Sequence, residues 1–303
     1  MKKLILSTAL FTIASGVFSQ EVNYTKIYDD PDNVAPLKIT IDPLWMDLWG
    51  VDFLNAGVGA RMEYTYKKIA NINTNARIEL NNKYLEVIGS FHLKDNTSAS
   101  SLPVVLSSSS DGTYTTSKYI NVPAHKRKIL SIRGGFFKTD ATLDLHTDGL
   151  YKTPFTAINN LGESATFEFG NPGQPGSYDE FKMNLFTLSA GISYKTITNL
   201  KIETSVNKRS KKNRKVNDVY FDVLFNGKTS FGDLISENKT VWHMNNENIK
   251  KIGWRTGFVM NRGAFSYKVE VASRPGVKGG NLSLLQVLGF TIPVKLGTKA
   301  GLL

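Results

Sequence analysis

The stretch Ala56-Gly57-Val58-Gly59-Ala60-Arg61-Met62-Glu63-Tyr64-Thr65-Tyr66 constrains this chain more than any other feature. It alternates throughout. Ala56, Val58, Ala60, Met62, Tyr64 and Tyr66 fall on one side, and Gly57, Gly59, Arg61, Glu63 and Thr65 on the other. Successive side chains of a strand point to opposite faces, so this spacing predicts one apolar face and one polar face. Ordinary strands run about 5–6 residues, whereas a strand crossing a bilayer at a tilt needs roughly 9–11. The pattern recurs at similar length to the end of the chain. A series of such strands can satisfy its backbone in lipid only by closing on itself.

The N-terminus reads as an export signal. Lys2 and Lys3 form a basic start, Leu4 to Val17 are mostly apolar, and Val17-Phe18-Ser19 supplies the small residues of a cleavage site after Ser19. The run is short for a membrane helix, which needs about 20 apolar residues. The chain has no cysteine, which excludes disulfides, thiol nucleophiles, Cys-ligated metals and a lipidated cysteine. Mean hydropathy is slightly negative. That suits a barrel, because half of each strand faces a polar interior.

The organisation that follows is a signal peptide at 1–19, an N-terminal segment at 20–55 and a barrel at 56–303. Within the segment, Asp42-Pro43-Leu44-Trp45-Met46-Asp47-Leu48-Trp49-Gly50 predicts a two-turn helix. Asp42 suits its N-cap, Pro43 its first position and Gly50 its stop. This helix would serve as a hydrophobic plug or a periplasmic foot, or, through Trp45 and Trp49, as a partner contact.

From Ala56 the spacing predicts fourteen strands: 56–66, 70–80, 83–93, 117–124, 128–138, 141–147, 150–158, 163–169, 181–195, 198–206, 216–225, 250–260, 263–272 and 284–296. If 141–147 and 150–158 are a loop, the count is twelve. Long loops are predicted at 94–116 and 226–248. Strand parity puts both on the outer side and the turns at 81–82, 125–127, 148–149 and 261–262 on the inner side. The fold class is therefore all-β, a transmembrane antiparallel β-barrel. A secreted β-sandwich is the rival, since it alternates in the same way. Strand length, the hairpin meander and aromatics near strand ends (Tyr64, Tyr66, Tyr194, Trp254) favour the barrel.

The polar face repeats a base, one spacer and an acid: Arg61 with Glu63, Arg77 with Glu79, Lys201 with Glu203, and Lys268 with Glu270. With Glu86, Arg133, Glu168, Asp222 and Arg255 these give a nearly balanced lumen lining that can pair across strands, since an unpaired charge in a confined interior is costly. The formal charge is +11. Much of the excess lies in Asn207-Lys208-Arg209-Ser210-Lys211-Lys212-Asn213-Arg214-Lys215, read as a solvated periplasmic turn. Export makes nucleic acid an unsuitable partner for that run. Lipopolysaccharide phosphates or an acidic protein are the anions it could meet, through Lys208, Arg209, Lys211, Lys212, Arg214 and Lys215. Of four histidines, His92 is best placed for chemistry, inward and near the outer rim. No serine or acid partner, lipase elbow or metal-ligand spacing accompanies it. No cofactor is expected, and no enzyme.

The basic start with a Phe-Ser-Gln end to the signal, the abundance of Lys, Asn and Tyr, and the fourteen-strand reading resemble outer-membrane barrels of the Bacteroidota. An N-terminal segment before fourteen strands is also similar in outline to the long-chain fatty-acid transporter barrels, whose N-terminal segment forms a hatch. The resemblance is architectural and transfers no functional residue. It implies an outer-membrane barrel acting as a channel or transporter for a small solute, or else a scaffold subunit of a secretion or assembly complex. Its partners would be outer-membrane lipid, lipopolysaccharide and proteins of such a complex.

Overall fold

The computed structural model describes residues 23–48, 55–79, 82–110, 112, 114–144, 155–167, 180–204, 210–235, 240–244, 249–277 and 282–294. The expected signal peptide and cleavage site, Trp49, Glu168, Lys208, Arg209 and the expected turn at 148–149 lie outside these residues.

All regular structure among the described residues is β. Ten antiparallel strands close into a barrel: β2 (Leu37–Leu48), β3 (Asn55–Tyr66), β4 (Ala70–Glu79), β5 (Asn82–Ser110), β6 (Thr115–Asp144), β9 (Glu180–Thr204), β10 (Ser210–Phe231), β14 (Ile252–Arg262), β15 (Phe265–Ser273) and β17 (Ser283–Val294). They pair in that order, β17 against β2 and β6 against β9. Outside the ring, β1 (Tyr24–Asp29) pairs with the far end of β9. The strands β7 (Phe155–Asn159), β8 (Ser164–Phe167), β11 (Leu234–Ile235) and β12 (Val241–Met244) form a small sheet. A two-residue pair, β13 (Ile249–Lys250) with β16 (Gly276–Val277), accompanies it.

Leu37 opens the barrel opposite Val294, so both chain ends share one rim, the termini end. The tight turns 67–69 and 263–264 also lie there. The opposite loop end carries the connections 145–179, 232–251 and 274–282, with the small sheet built from the first two.

Ten strands replace the expected fourteen or twelve for identifiable reasons. Residues 117–124, 128–138 and 141–147 are not separate strands, because β6 runs unbroken for 30 residues. Residues 181–195 and 198–204 likewise belong to one strand, β9, and 205–206 lie outside the described residues. Of the residues read as strands at 150–158 and 163–169, the described 155–158 and 164–167 fall in the small sheet. The predicted loop 94–116 is mostly strand: β5 and β6 continue past the barrel as a long hairpin to Ser110↔Thr115. That hairpin leaves the termini end, whereas 226–248 lies at the loop end. The two are thus on opposite sides. The turns 81–82 and 261–262 are also at opposite ends. With ten strands, the outline shared with fatty-acid transporter barrels does not hold.

The predicted 42–50 helix is a further correction, since residues 42–48 belong to β2. The strand carries one extra residue between Asp42 and Trp45 relative to Gly59 and Gly57 on β3. Pro43 sits in this bulge, where a missing N–H is tolerated. Three residues apart, Asp42 and Trp45 both point inward and are fully buried. Gly59 makes room for the indole: a Cβ there would stand 2.6 Å from Trp45 Nε1.

Beyond the barrel wall at the termini end, the β5–β6 hairpin packs on the extension of β9 and β10. Leu102, Val104, Val122 and Ala124 bury against Leu200 and Ile202. β1 is clamped beside them. Asp29 accepts hydrogen bonds from the His125 backbone N–H at 2.9 Å and pairs with its Nδ1 at 2.8 Å. Burial opposes ionisation of Asp29, but these His125 contacts, and then Lys26, outweigh it and hold the carboxyl below its ordinary value. A depressed carboxyl contributes stability that is complete above the unfolded value of about 3.9 and is lost as pH falls below it. Protection factors of the amides over Tyr24–Asp29, corrected for the intrinsic pH dependence of exchange, should therefore hold above about pH 5 and fall below about pH 4. Asp29→Asn should exchange faster at pH 7 and lose the acid step. An unchanged profile in the variant would show that the clamp does not hold β1.

Candidate functional site: the lumen and the outer belt

The barrel interior is a stack of ion pairs. Nearest the loop end, Arg77 meets Asp47 at 2.6 Å and Glu79 at 2.6 Å, and Arg274 meets Asp47 at 2.9 Å. The Arg77 guanidinium also lies over the rings of Trp45 and Tyr84, at 4.7 and 4.2 Å. In the middle layer, Arg255 joins Glu86 at 2.5 Å and Asp222 at 2.7 Å. Arg133 reaches Asp222 at 3.0 Å and Lys268 reaches Glu270 at 3.1 Å. Tyr220 donates its hydroxyl to Glu270, and the Arg133 guanidinium covers its ring at 4.1 Å. Toward the termini end, Glu63 bridges Lys38 at 3.1 Å and Lys195 at 2.7 Å, with Asp218 3.6 Å from Lys195. Arg61 clasps Asp42 through two bonds of 2.7 Å.

The pairing runs mostly between strands, not along them. Arg61 stands opposite Thr40 and reaches diagonally to Asp42, which faces Gly59, while Glu63 is taken by Lys38 directly opposite it. Arg77 with Glu79 and Lys268 with Glu270 do pair along the strand, each also anchored across it. Lys201 and Glu203 do not line the lumen. They lie on β9 beyond the wall, in the part paired with β1 and β10. Sequence reading also passed over Lys38, Asp42, Asp47, Lys195, Asp218 and Arg274. The first three are hidden when β2 is read as part of the N-terminal segment, a short strand at 38–41 and then a helix, outside the barrel.

Among the described residues, two cavities lie inside, of about 100 Å³ and about 150 Å³. Lys38, Glu63 and Lys195 line both, so this triad forms the partition between them. The second opens toward the termini end, where residues 30–36 cross the mouth. Val34 packs on Ile129, Ile197 and Val216. Asp32 pairs with Lys68 at 2.7 Å and with Arg127 at 3.4 Å, and Asn199 Nδ2 donates to the carbonyls of Asp30 and Asn33.

The outer face is the inverse of the lumen. Val58, Ile72, Ile78, Leu85, Ile132, Leu188, Ile192, Val219 and Phe221 are all exposed there. On β6 the apolar outward residues Leu130, Ile132 and Phe136 are bounded by Lys128 and Lys138. Ten residues span roughly 34 Å of strand, about 26 Å of height at a 40° tilt. Exposed aromatics cluster toward the two ends: Tyr66, Phe91, Tyr194, Phe265 and Phe290 toward the termini, Phe186, Phe225 and Trp254 toward the loops.

Comparison with solved structures returns outer-membrane proteins at low superposition. A loop L8 deletion mutant of OmpT, an outer membrane protein of Vibrio cholerae, is 7% identical over 84% of this chain and 98% of that one, with a TM-score of 0.21. In-vitro folded OmpT of Vibrio cholerae is 6% identical over 88% and 99%, also at 0.21. No protein-family model and no curated protein matches the sequence. With so low a superposition, the functional reading rests on this chain's own residues.

His92 sits at the termini rim. Its Nδ1 faces the Lys68 carbonyl at 2.9 Å, its Nε2 faces Asn71 Oδ1, and Asp95 is 3.9 Å away. Neither ring nitrogen is directed at a hydroxyl. Among the described residues no cluster of three His, Asp or Glu side chains could hold a metal ion. The basic run is not a turn over its second half, because residues 210–215 are strand, paired with 198–203 of β9. Lys212 is exposed there, and Arg214 and Lys215 are half-buried.

Proposed function

We propose that this protein is an integral outer-membrane barrel whose lumen is occupied by its own side chains, and that it acts as an anchored scaffold rather than an open pore. The observation that carries the membrane reading is the inversion of polarity, with ion pairs inside and an apolar belt about 26 Å high outside. A soluble protein rarely exposes contiguous apolar surface beyond a few hundred Å². The export signal, the even strand count and the short turns beside the chain ends support a bacterial outer membrane with the termini end in the periplasm. The β5–β6 hairpin and the extended β9–β10 pair would then project into the periplasm as the contact surface for proteins of an envelope complex.

The scaffold reading rests on the ion-pair layers and the covered mouth. Passage of a solute would require separating Lys38, Glu63 and Lys195, and buried pairs resist that because each freed charge faces an uncompensated low-dielectric interior. The second reading, a channel or transporter for a small solute, draws on the charged inner wall. Planar-bilayer recording separates the two. The purified barrel should show no steady conductance, and cross-linking in native membranes should capture partners through the periplasmic hairpin. Reproducible single-channel steps would favour the channel. The membrane reading has its own test: the protein should stay with membranes through carbonate washing, and release as a soluble species would overturn it.

A further inference from the structure

A set of cations on the outer wall has no partner of opposite sign among the described residues. Lys215 of β10 stands opposite Arg262 of β14 on one side and Thr198 of β9 on the other. Arg127 opposite Ile197 puts Lys126 of β6 level with Thr198. Lys126, Thr198, Lys215 and Arg262 therefore make one row across four strands, on the outward face at the termini rim. Lys128 begins the apolar belt one pleat above.

The row lies in a notch. The β5–β6 hairpin folds over it, with Asn213 Nδ2 donating to the Pro103 carbonyl at 3.1 Å and the Leu102–Ile202 cluster closing the floor. Thr198 at its base is 6% exposed, and its hydroxyl has no hydrogen-bond partner among the described residues. A buried hydroxyl without a partner is costly and marks a place for an absent one. Burial, then Arg262 and Lys126, hold the Lys215 ammonium below its ordinary value. All three features call for a negative group with several acceptor oxygens.

We propose that this notch binds the phosphate of an anionic phospholipid headgroup in the periplasmic leaflet, with Lys126, Lys215 and Arg262 as cationic donors and Thr198 as the hydroxyl donor. The inference rests on the membrane reading above. The lipid, in preference to free phosphate, is indicated by position. The row sits one pleat below the belt, at headgroup height, and acyl chains would run up the outward residues Leu130, Tyr194 and Val219.

The test uses the full-length protein in mixed micelles. Fluorescent phosphatidylglycerol and phosphatidylcholine are compared by titration, with inorganic phosphate as a competitor. Wild type should prefer phosphatidylglycerol. The double variant Lys215→Gln, Arg262→Gln should lose roughly ten- to thirtyfold of that affinity. Thr198→Val, which keeps the shape and removes the hydroxyl, should weaken it by several-fold. Lys212→Gln on the exposed part of β10 should bind as wild type, and Lys215→Arg should retain the preference. Heat-modifiable migration on gels confirms that each variant is folded. Equal binding of both lipids by wild type, an unaffected double variant, or displacement of phosphatidylglycerol by millimolar phosphate would each overturn the proposal. Carbonate extraction reports separately on the membrane reading.

Discussion

Replacing Arg255 with methionine should destabilise the barrel by about 3–5 kcal/mol, the cost of removing one partner from a buried charge cluster. Arg255 is 2% exposed and reaches Glu86, Asp222 and, at 3.8 Å, Glu270. Asp222 retains Arg133, and Glu270 retains Lys268. Glu86 keeps the Asn75 amide at 3.3 Å but loses its ion pair, with Lys268 and Arg133 acting on it only at longer range. Urea unfolding of the vesicle-inserted protein, followed by tryptophan fluorescence, measures the loss. A second change, Glu86→Gln, should recover a large part of it, because the orphaned charge is then gone. The coupling between the two changes should exceed about 1 kcal/mol, as contacting residues in one network are non-additive. A loss under about 1 kcal/mol for the single variant would mean that water enters the middle layer and screens it. The lumen would then be more open than its side-chain packing implies.

That network shows how much of the molecule can be read in its sequence. The phase of a cleanly alternating strand such as β3 or β4 can be, because period-two alternation needs only local information. Arg61, Glu63, Arg77 and Glu79 lie on the inner wall while Val58, Met62 and Ile78 face out. The partners cannot be read, because they depend on register and closure, which bring Lys195 to Glu63 across the barrel. Strand ends were misjudged where local grammar misleads. Asp42-Pro43 and Gly50 carry the caps of a helix, and a bulge mimics its spacing. The serines of 98–110 look like a loop, yet long-range pairing with β6 makes them strand. Residues 125–127 and Thr196-Ile197 look like breaks, yet β6 and β9 run through them. The cationic row is invisible in sequence, since Lys126, Lys215 and Arg262 meet only through register.

An arginine at Met62 should cost about 2–4 kcal/mol, and one at Tyr66 no more than about 1, because the penalty for a charge on the lipid face falls from the midplane to the interface. Both side chains point outward, Met62 41% and Tyr66 51% exposed, so neither change opens a cavity of consequence. Met62 lies midway along the apolar run of β3, and its outward neighbours across the pairs are Ile39 and Thr74. Tyr66 ends the run beside the 67–69 turn, where a long cationic side chain can reach water with its head while its stem stays against the wall. In a protein surrounded by water the two substitutions would be equally mild, each within about 0.5 kcal/mol. The gradient between them is therefore the quantity to measure, by urea unfolding in vesicles of one lipid composition. Equal tolerance at both positions, together with release from membranes by carbonate, would remove the bilayer from the account and leave an aqueous barrel with an unexplained apolar exterior.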